Sequence, residues 1–146
     1  MKNSLGIAIK KANNALARDA DHYAKQLGLT GMQISVINFI ADHEATQTIF
    51  QRDVEQEFNI RKAAASSLVS TMVRKQLIVR VPAPNDARYK QLLLTTQARQ
   101  LATQIDAFFE ASEQRIHQLL AEKTSLTYDS LTQISSTFTA TNTPKP

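Results

Sequence analysis

Between residues 61 and 90 the chain carries side chains whose types and spacing suit nucleic acid. Lys62, Ala63, Ser66, Ser67, Ser70 and Arg74 fall on one helical face, with Arg61 and Ala64 adjoining it. The face is small and polar, has basic ends and holds no acidic residue. A helix lying in the major groove needs these features: short side chains for close approach, hydrogen-bonding groups for base edges and cations for phosphates. A second group, Asp86, Arg88 and Lys90, follows among the turn residues Pro82, Pro84 and Asn85. A projecting arginine suits the minor groove, whose negative potential attracts a guanidinium, most of all in A·T-rich DNA. Two readings stand for Asp86 and Arg88. Either they form an internal turn salt bridge, or Asp86 also fixes the tip while Arg88 reaches DNA.

Residues 54–95 must position these groups, and they read as a helix-turn-helix followed by a two-stranded wing. Val54 and Phe58 are four apart and face inward from a short helix. Asn59 suits the tight turn because it tolerates left-handed backbone, and Ile60 plugs it. Ala65, Leu68, Val69 and Met72 recur at i, i+3, i+4 and i+7, the buried stripe of a second helix from about Lys62 to Lys75. Arg61 stands where an N-cap Ser, Thr or Asp is favoured, and its charge opposes the helix N-terminus, a conflict that a nearby phosphate would relieve. Ile78–Val81 is a β-branched run and Gln91–Leu94 returns as its partner. The excursion between them is too long for a two-residue hairpin, so the tip should project.

This stretch resembles the MarR (multiple antibiotic resistance regulator) family of bacterial transcription factors. Asp86-Ala87-Arg88, followed by Leu92, Leu94 and Thr95, is similar to the family's wing signature D-x-R…L-x-L-T. The register extends back to Leu29-Thr30-x-x-Gln33, and with the flanking helices the resemblance covers nearly the whole chain. It implies a mainly α fold with a small β-hairpin: a winged helix-turn-helix flanked by N- and C-terminal helices that intertwine in a homodimer. It implies that Arg88 contacts DNA. Two glycines common in the family are replaced, by Gln76 and Ala98. A glutamine in a left-handed C-cap costs about 1 kcal/mol relative to glycine, whereas Ala98 lies inside a helix and costs nothing.

Length and composition agree. The 146 residues suit one domain with a real core. Three glycines and four prolines favour helices over a sandwich or barrel. No apolar run approaches the roughly 20 residues of a membrane span, and the apolar stretch in MKNSLGIAIKK is too short for a secretory signal. A cytoplasmic protein is the expectation. With no cysteine, disulfides, thiolate ligands and thiol redox sensing are excluded. The net charge is +4, but its distribution is uneven. Residues 58–99 hold eight cations and one anion, net +7, while the remainder is −3. A basic middle on a slightly acidic frame is the footprint of a phosphate-binding surface.

The flanks read as helices. Residues 4–27 form a first helix with an incomplete apolar stripe of Leu5, Ile9, Ala12, Leu16, Tyr23 and Leu27. Gly28 ends it as a left-handed cap. Thr30 and Gln33 have capping-box spacing for a buried scaffold helix carrying Ile34, Val36, Ile37 and Ile40 to about Asp42. Thr48 and Gln51 have the same spacing before the short helix; alternatively, the resemblance implies a small strand at Ile49 or Phe50 against the wing. Thr95 or Thr96 opens a long helix to about Lys123, with Leu101, Ile105, Phe108, Ser112, Ile116 and Leu119 near heptad spacing. At about 40 Å it is longer than a compact domain requires and calls for a partner chain. Thr127 opens a last helix faced by Leu131, Ile134 and Phe138. The expected division is one domain over 1–146, with 30–95 the winged helix-turn-helix, 1–28 and 96–140 dimerisation helices, and 141–146 a disordered tail.

The resemblance further implies a pocket for a small aromatic effector, with Tyr23, Met32, Phe39, Ile40, His43 and Phe108 as candidate liners. Aromatic and methionine residues at helical spacing are also what a core requires. His22, His43, Glu44, Glu113 and His117 are the only set that could serve a zinc-responsive regulator, and they lack a dedicated ligand motif, so no metal or other cofactor is expected. Nothing resembles a phosphate-cradling glycine loop or a nucleophile elbow, which argues against an enzyme. The expected function is a dimeric repressor on a palindromic double-stranded DNA operator, released by an effector. The competing class is a winged helix used for protein or RNA contact, which should carry apolar or acidic groups on the recognition face. Because Ala63-Ala64-Ala65 occupies positions often Ser or Thr, and alanine methyls pack on thymine methyls, the bound site should lean to A·T. A selected operator rich in central G·C pairs, with no thymine contacts, would contradict this.

Overall fold

Helix α2 (Gly31–His43) is the hub of the first compact unit, residues 1–105. The computed structural model describes residues 2–141; the expected disordered tail, apart from Thr141, lies outside them. Ile34, Val36, Ile37 and Ile40 of α2 are fully buried, and each such side chain contributes about 1.5–3 kcal/mol by leaving water. Helix α2 packs on α1 (Leu5–Gln26) on one side and on the wing strand β2 (Lys90–Leu94) on another. The predicted capping box starts it: Thr30 Oγ1 accepts from Gln33 N–H at 3.2 Å, and Gln33 Oε1 accepts from Thr30 N–H at 3.1 Å. Gly28 takes the expected left-handed conformation, φ +73°. Gly31 marks a close approach of α1 and α2, since a Cβ there would lie 3.2 Å from the Asp21 amide nitrogen.

The helix-turn-helix follows as α3 (Gln51–Phe58) and α4 (Lys62–Arg74), which pack on each other. Asn59 is left-handed between them, φ 51°. The start of α3 differs from the Thr48–Gln51 reading. Its N-cap is Phe50, whose N–H donates to the Asp53 carboxylate at 2.8 Å. A carboxylate in the first helical turn is favoured by the exposed N–H groups there, so the helix starts after Phe50 with Asp53 as the one side-chain cap, and no reciprocal box forms. Ile49 supplies one backbone rung to the wing, Leu92 N–H donating to its carbonyl at 2.8 Å, without forming a strand.

The wing is a two-stranded antiparallel sheet of β1 (Ile78–Pro82) and β2, with Ile78 opposite Leu94 and Pro82 opposite Lys90. Leu77, Ile78, Leu92 and Leu94 are buried, so the wing root belongs to the core. Gln76, where the family commonly has glycine, is left-handed with φ 61°. Thr95 then joins wing to helix: its hydroxyl donates to Gln76 O at 2.7 Å and accepts from Ala98 N–H at 3.2 Å. This selects Thr95 over Thr96 as the cap of α5 (Thr96–Leu120).

The second compact unit, residues 106–146, holds the rest of α5, a single 3-10 turn (Ala121–Lys123) and α6 (Thr124–Thr141). Two expectations are corrected here. Helix α5 ends at Leu120 rather than Lys123 because Ala121 turns left-handed, φ 49°. Helix α6 starts at Thr124 rather than Thr127, whose hydroxyl donates to the Lys123 carbonyl inside the helix. Among the described residues of α6 none is buried, and Leu126, Tyr128, Leu131 and Ile134 face water.

Gln76 is exposed, so Gln76→Gly should relieve the left-handed backbone without losing packing. An increase in stability of about 1 kcal/mol is expected, read as a shift of the urea midpoint at constant slope.

Candidate nucleic-acid interface

Helix α4 divides into two faces. Ala65, Val69 and Met72 are completely buried, while Lys62, Ala63, Ala64, Ser66 and Ser67 are exposed. Leu68, expected in the stripe, is half-buried at its margin. The outward face is therefore set by the inward one: rotating α4 would expose the stripe. Arg61 occupies the N-cap without a side-chain cap bond, so the first N–H groups of α4 have no side-chain acceptor from that position. At the other end Lys75 reaches back, its Nζ donating to Gly28 O at 3.2 Å and Gln33 Oε1 at 3.1 Å. The oxygen that completes the α2 capping box thus also tethers the end of α4.

Ser70 and Arg74 each make a side-chain hydrogen bond within the protein. Ser70 is half-buried and its hydroxyl accepts from Arg80 Nη2 at 3.1 Å. Arg74 is exposed, with Nη2 donating to Thr71 Oγ1 at 3.0 Å. Arg80 thus ties Ser70 of α4 to the first wing strand, a role that sequence spacing does not reveal.

At the wing tip Asp86 and Arg88 form a two-pronged ion pair. Arg88 Nε donates to Asp86 Oδ1 at 3.0 Å and Nη2 to Oδ2 at 2.8 Å; the Arg88 N–H also donates to Oδ1 at 3.0 Å. The guanidinium nonetheless keeps 83% of its side-chain exposure. It lies 5.9 Å from the centre of the Tyr89 ring, within the range of a cation–π contact. The tip is closed by Ala83 N–H donating to Tyr89 O at 2.8 Å. Lys90 is exposed at the start of β2. Across the gap between wing and helices, a cleft of about 400 Å³ brings Lys62 and Lys90 together with Arg52 and Tyr89.

The six candidate effector liners do not share one environment. Ile40 is fully buried and Phe39 is buried against the rings of His43 at 4.7 Å and Phe58 at 6.0 Å. His43 Nδ1–H donates to Phe39 O at 2.9 Å, the carbonyl fixing which nitrogen carries the proton. Tyr23 donates its hydroxyl to Gln104 O at 3.1 Å, and Met32 is exposed. Phe108 lies in the second unit, edge-on to Phe109 at 5.2 Å. Of the zinc set, Glu44 is taken by Arg99 in a paired contact, Nη2 to Oε2 at 3.0 Å, which raises the Arg99 guanidinium pKa. Among the described residues no group of three or more potential ligands comes together, nor is any helix long and apolar enough to cross a membrane.

A sequence model of the MarR family matches residues 27–88, from the end of α1 to the wing tip. The crystal structure of the transcription regulator MarR from Oenococcus oeni is 30% identical to this chain, with a TM-score of 0.83 over 90% of this chain and 98% of that one. This chain belongs to the MarR family. The MarR-family fold also appears at 22% identity in S. aureus MepR. Its DNA complex gives a TM-score of 0.80, covering 94% of this chain and 99% of that one. MepR in its DNA-binding conformation gives 0.82, covering 92% and 98%. Comparison with curated protein sequences gives no match.

In this MarR-family wing, Arg88 lowers the Asp86 pKa, first through its side-chain hydrogen bonds and then through its backbone N–H. A carboxyl lowered on folding keeps its pairing at all pH above the ordinary value of 3.8 and loses it as pH falls through the lower folded value. The Arg88 Nε–H resonance should therefore hold from about pH 8 to about pH 5 and move only in stronger acid. Movement near neutral pH would mean the pair is not formed in solution.

Proposed function

We propose that this MarR-family chain is a sequence-specific, double-stranded DNA-binding transcription regulator acting in the cytoplasm. The observation that carries the reading is the outward face of α4: exposed, acid-free and small, beside a projecting Arg88 with 83% exposure. The wing aims one cation for a minor groove while α4 offers Lys62, Ser66 and Ser67 to base edges and Arg61 and Arg74 to phosphates. A protein-binding version of the fold would carry large apolar or acidic groups on that face; here there is no acidic residue, and the apolar side chains are the methyls of Ala63 and Ala64.

The regulator works as a homodimer on a palindromic operator, because two-fold symmetry in the protein is matched by two-fold symmetry in the half-sites. In the first unit Leu5, Ile7 and Leu16 of α1 face water; in the second, Leu119, Leu126, Tyr128 and Leu131 do. Apolar residues in that number favour a second copy as cover. Occupancy of the operator represses transcription by excluding polymerase, and a small aromatic effector releases it. The effector part rests on family resemblance, with Tyr23, Met32, Phe39, Ile40, His43 and Phe108 as the residues to vary.

Fluorescence anisotropy on duplex DNA tests the reading. Binding should weaken steeply with salt, as phosphate contacts require. Arg88→Ala should weaken binding on all sequences. Lys62→Ala or Ser67→Ala should change preference at single base pairs by about 1–3 kcal/mol. Salt-independent binding, or unchanged affinity in Arg88→Ala, would contradict it. Sedimentation should give a dimer at micromolar concentration; a monomer there would remove the symmetric-operator part.

A further inference from the structure

The cleft between the wing and the two helices of the reading unit joins three chain segments. Phe50 and Arg52 come from the start of α3, Lys62 from the start of α4, and Tyr89 and Lys90 from the wing. Its volume is about 400 Å³. Three cations line it against one carboxylate, Glu55, to which Gln51 is hydrogen-bonded at 3.5 Å. Arg52, Lys62 and Lys90 are all exposed, and among the described residues none of them forms an ion pair. Three cations against one carboxylate leave the concavity with a net positive charge, which favours an anion. Duplex geometry supplies one. A wing in the minor groove and a helix in the adjacent major groove are separated by one strand of the sugar–phosphate backbone, and that strand must cross between them.

We propose that this cleft seats a backbone phosphodiester, with Arg52 as a DNA-positioning residue that fixes the spacing between wing and reading helix. The inference rests on the DNA-binding reading above and adds to it a ligand group, a place and a residue outside both reading elements. Arg52 comes to the cleft from α3, Lys90 from the wing strand and Lys62 from the start of α4. Tyr89, whose ring lies 5.9 Å from the Arg88 guanidinium, lines the wing side of the cleft. Glu55 is the one unfavourable group, and it makes the account testable in both directions.

The experiment is the affinity of the full chain for a defined duplex across a salt series. Each phosphate contact contributes about 0.9 to the slope of log K against log salt, so Arg52→Gln should flatten it by about 1.8 for a duplex holding two protomers. Arg52→Lys, which keeps the charge, should retain most of the slope. Lys10→Gln, on exposed α1, should leave it unchanged, which separates a local contact from net charge. Glu55→Gln should tighten binding. If the wild type shows a steep slope and Arg52→Gln keeps it, the cleft is not a phosphate seat and the DNA reading survives. If Lys10→Gln flattens the slope as much as Arg52→Gln, the effect is general charge and the cleft is again excluded. A wild type without salt-dependent binding overturns both.

Discussion

The complete burial of one stripe of α4 is the constraint on which the interface depends. Ala65, Val69 and Met72 have no exposure, so the helix has one allowed rotation about its axis. A face of alanines and serines has little side-chain bulk with which to orient itself. The inward stripe therefore does the orienting, and the short outward side chains gain a fixed aim. The left-handed residues Asn59 and Gln76 bracket the helix and turn the chain sharply into it and out of it. Lys75 adds a hydrogen-bonded tether to the α1–α2 corner. A reading element built this way carries its precision in the core rather than on the surface.

The wing solves a different problem with charge. Its tip lies far from the core and is rich in turn residues, so apolar burial cannot hold it. The Asp86–Arg88 pair substitutes, with one carboxylate accepting from the Arg88 backbone and from two guanidinium nitrogens. In water an exposed ion pair adds little to stability. Its use here is positional: the arginine keeps a defined direction while most of it remains open. Asp86 serves by ordering Arg88, and the two readings of this pair, internal salt bridge and DNA-directed arginine, are compatible in one geometry.

Much of this was legible in the sequence because it is local. The stripe in α4, the Thr30–Gln33 box, the left-handed Asn59 and the wing strands all depend on residues within a few positions of one another. The features that were missed are of two kinds. Some are long-range: Arg99 meets Glu44 across 55 positions, and Arg80 meets Ser70 across a change of element. Pairings of that sort leave no periodicity to read. Others break local expectation. Helix α3 starts at Phe50, a poor capping residue, because Asp53 supplies the acceptor. Helix α5 stops at Leu120, before the left-handed Ala121, with neither glycine nor proline to announce it. Arg52 escaped notice because helical periodicity gives an exposed cation on a short helix no meaning until the wing is folded beside it. The family resemblance, carried by Asp86, Arg88, Leu92, Leu94 and Thr95, agreed with the fold because those residues form the wing itself.

The central claim is that one rigid unit, α4 with its wing, reads one half-site and that two copies read two. In vitro selection of random duplex DNA by the purified protein tests this most directly. The account predicts enrichment of a palindrome whose half-sites lie about one helical turn apart, centre to centre. Enrichment of single, unpaired half-sites, or no enrichment with weak binding at both low and high salt, would contradict it.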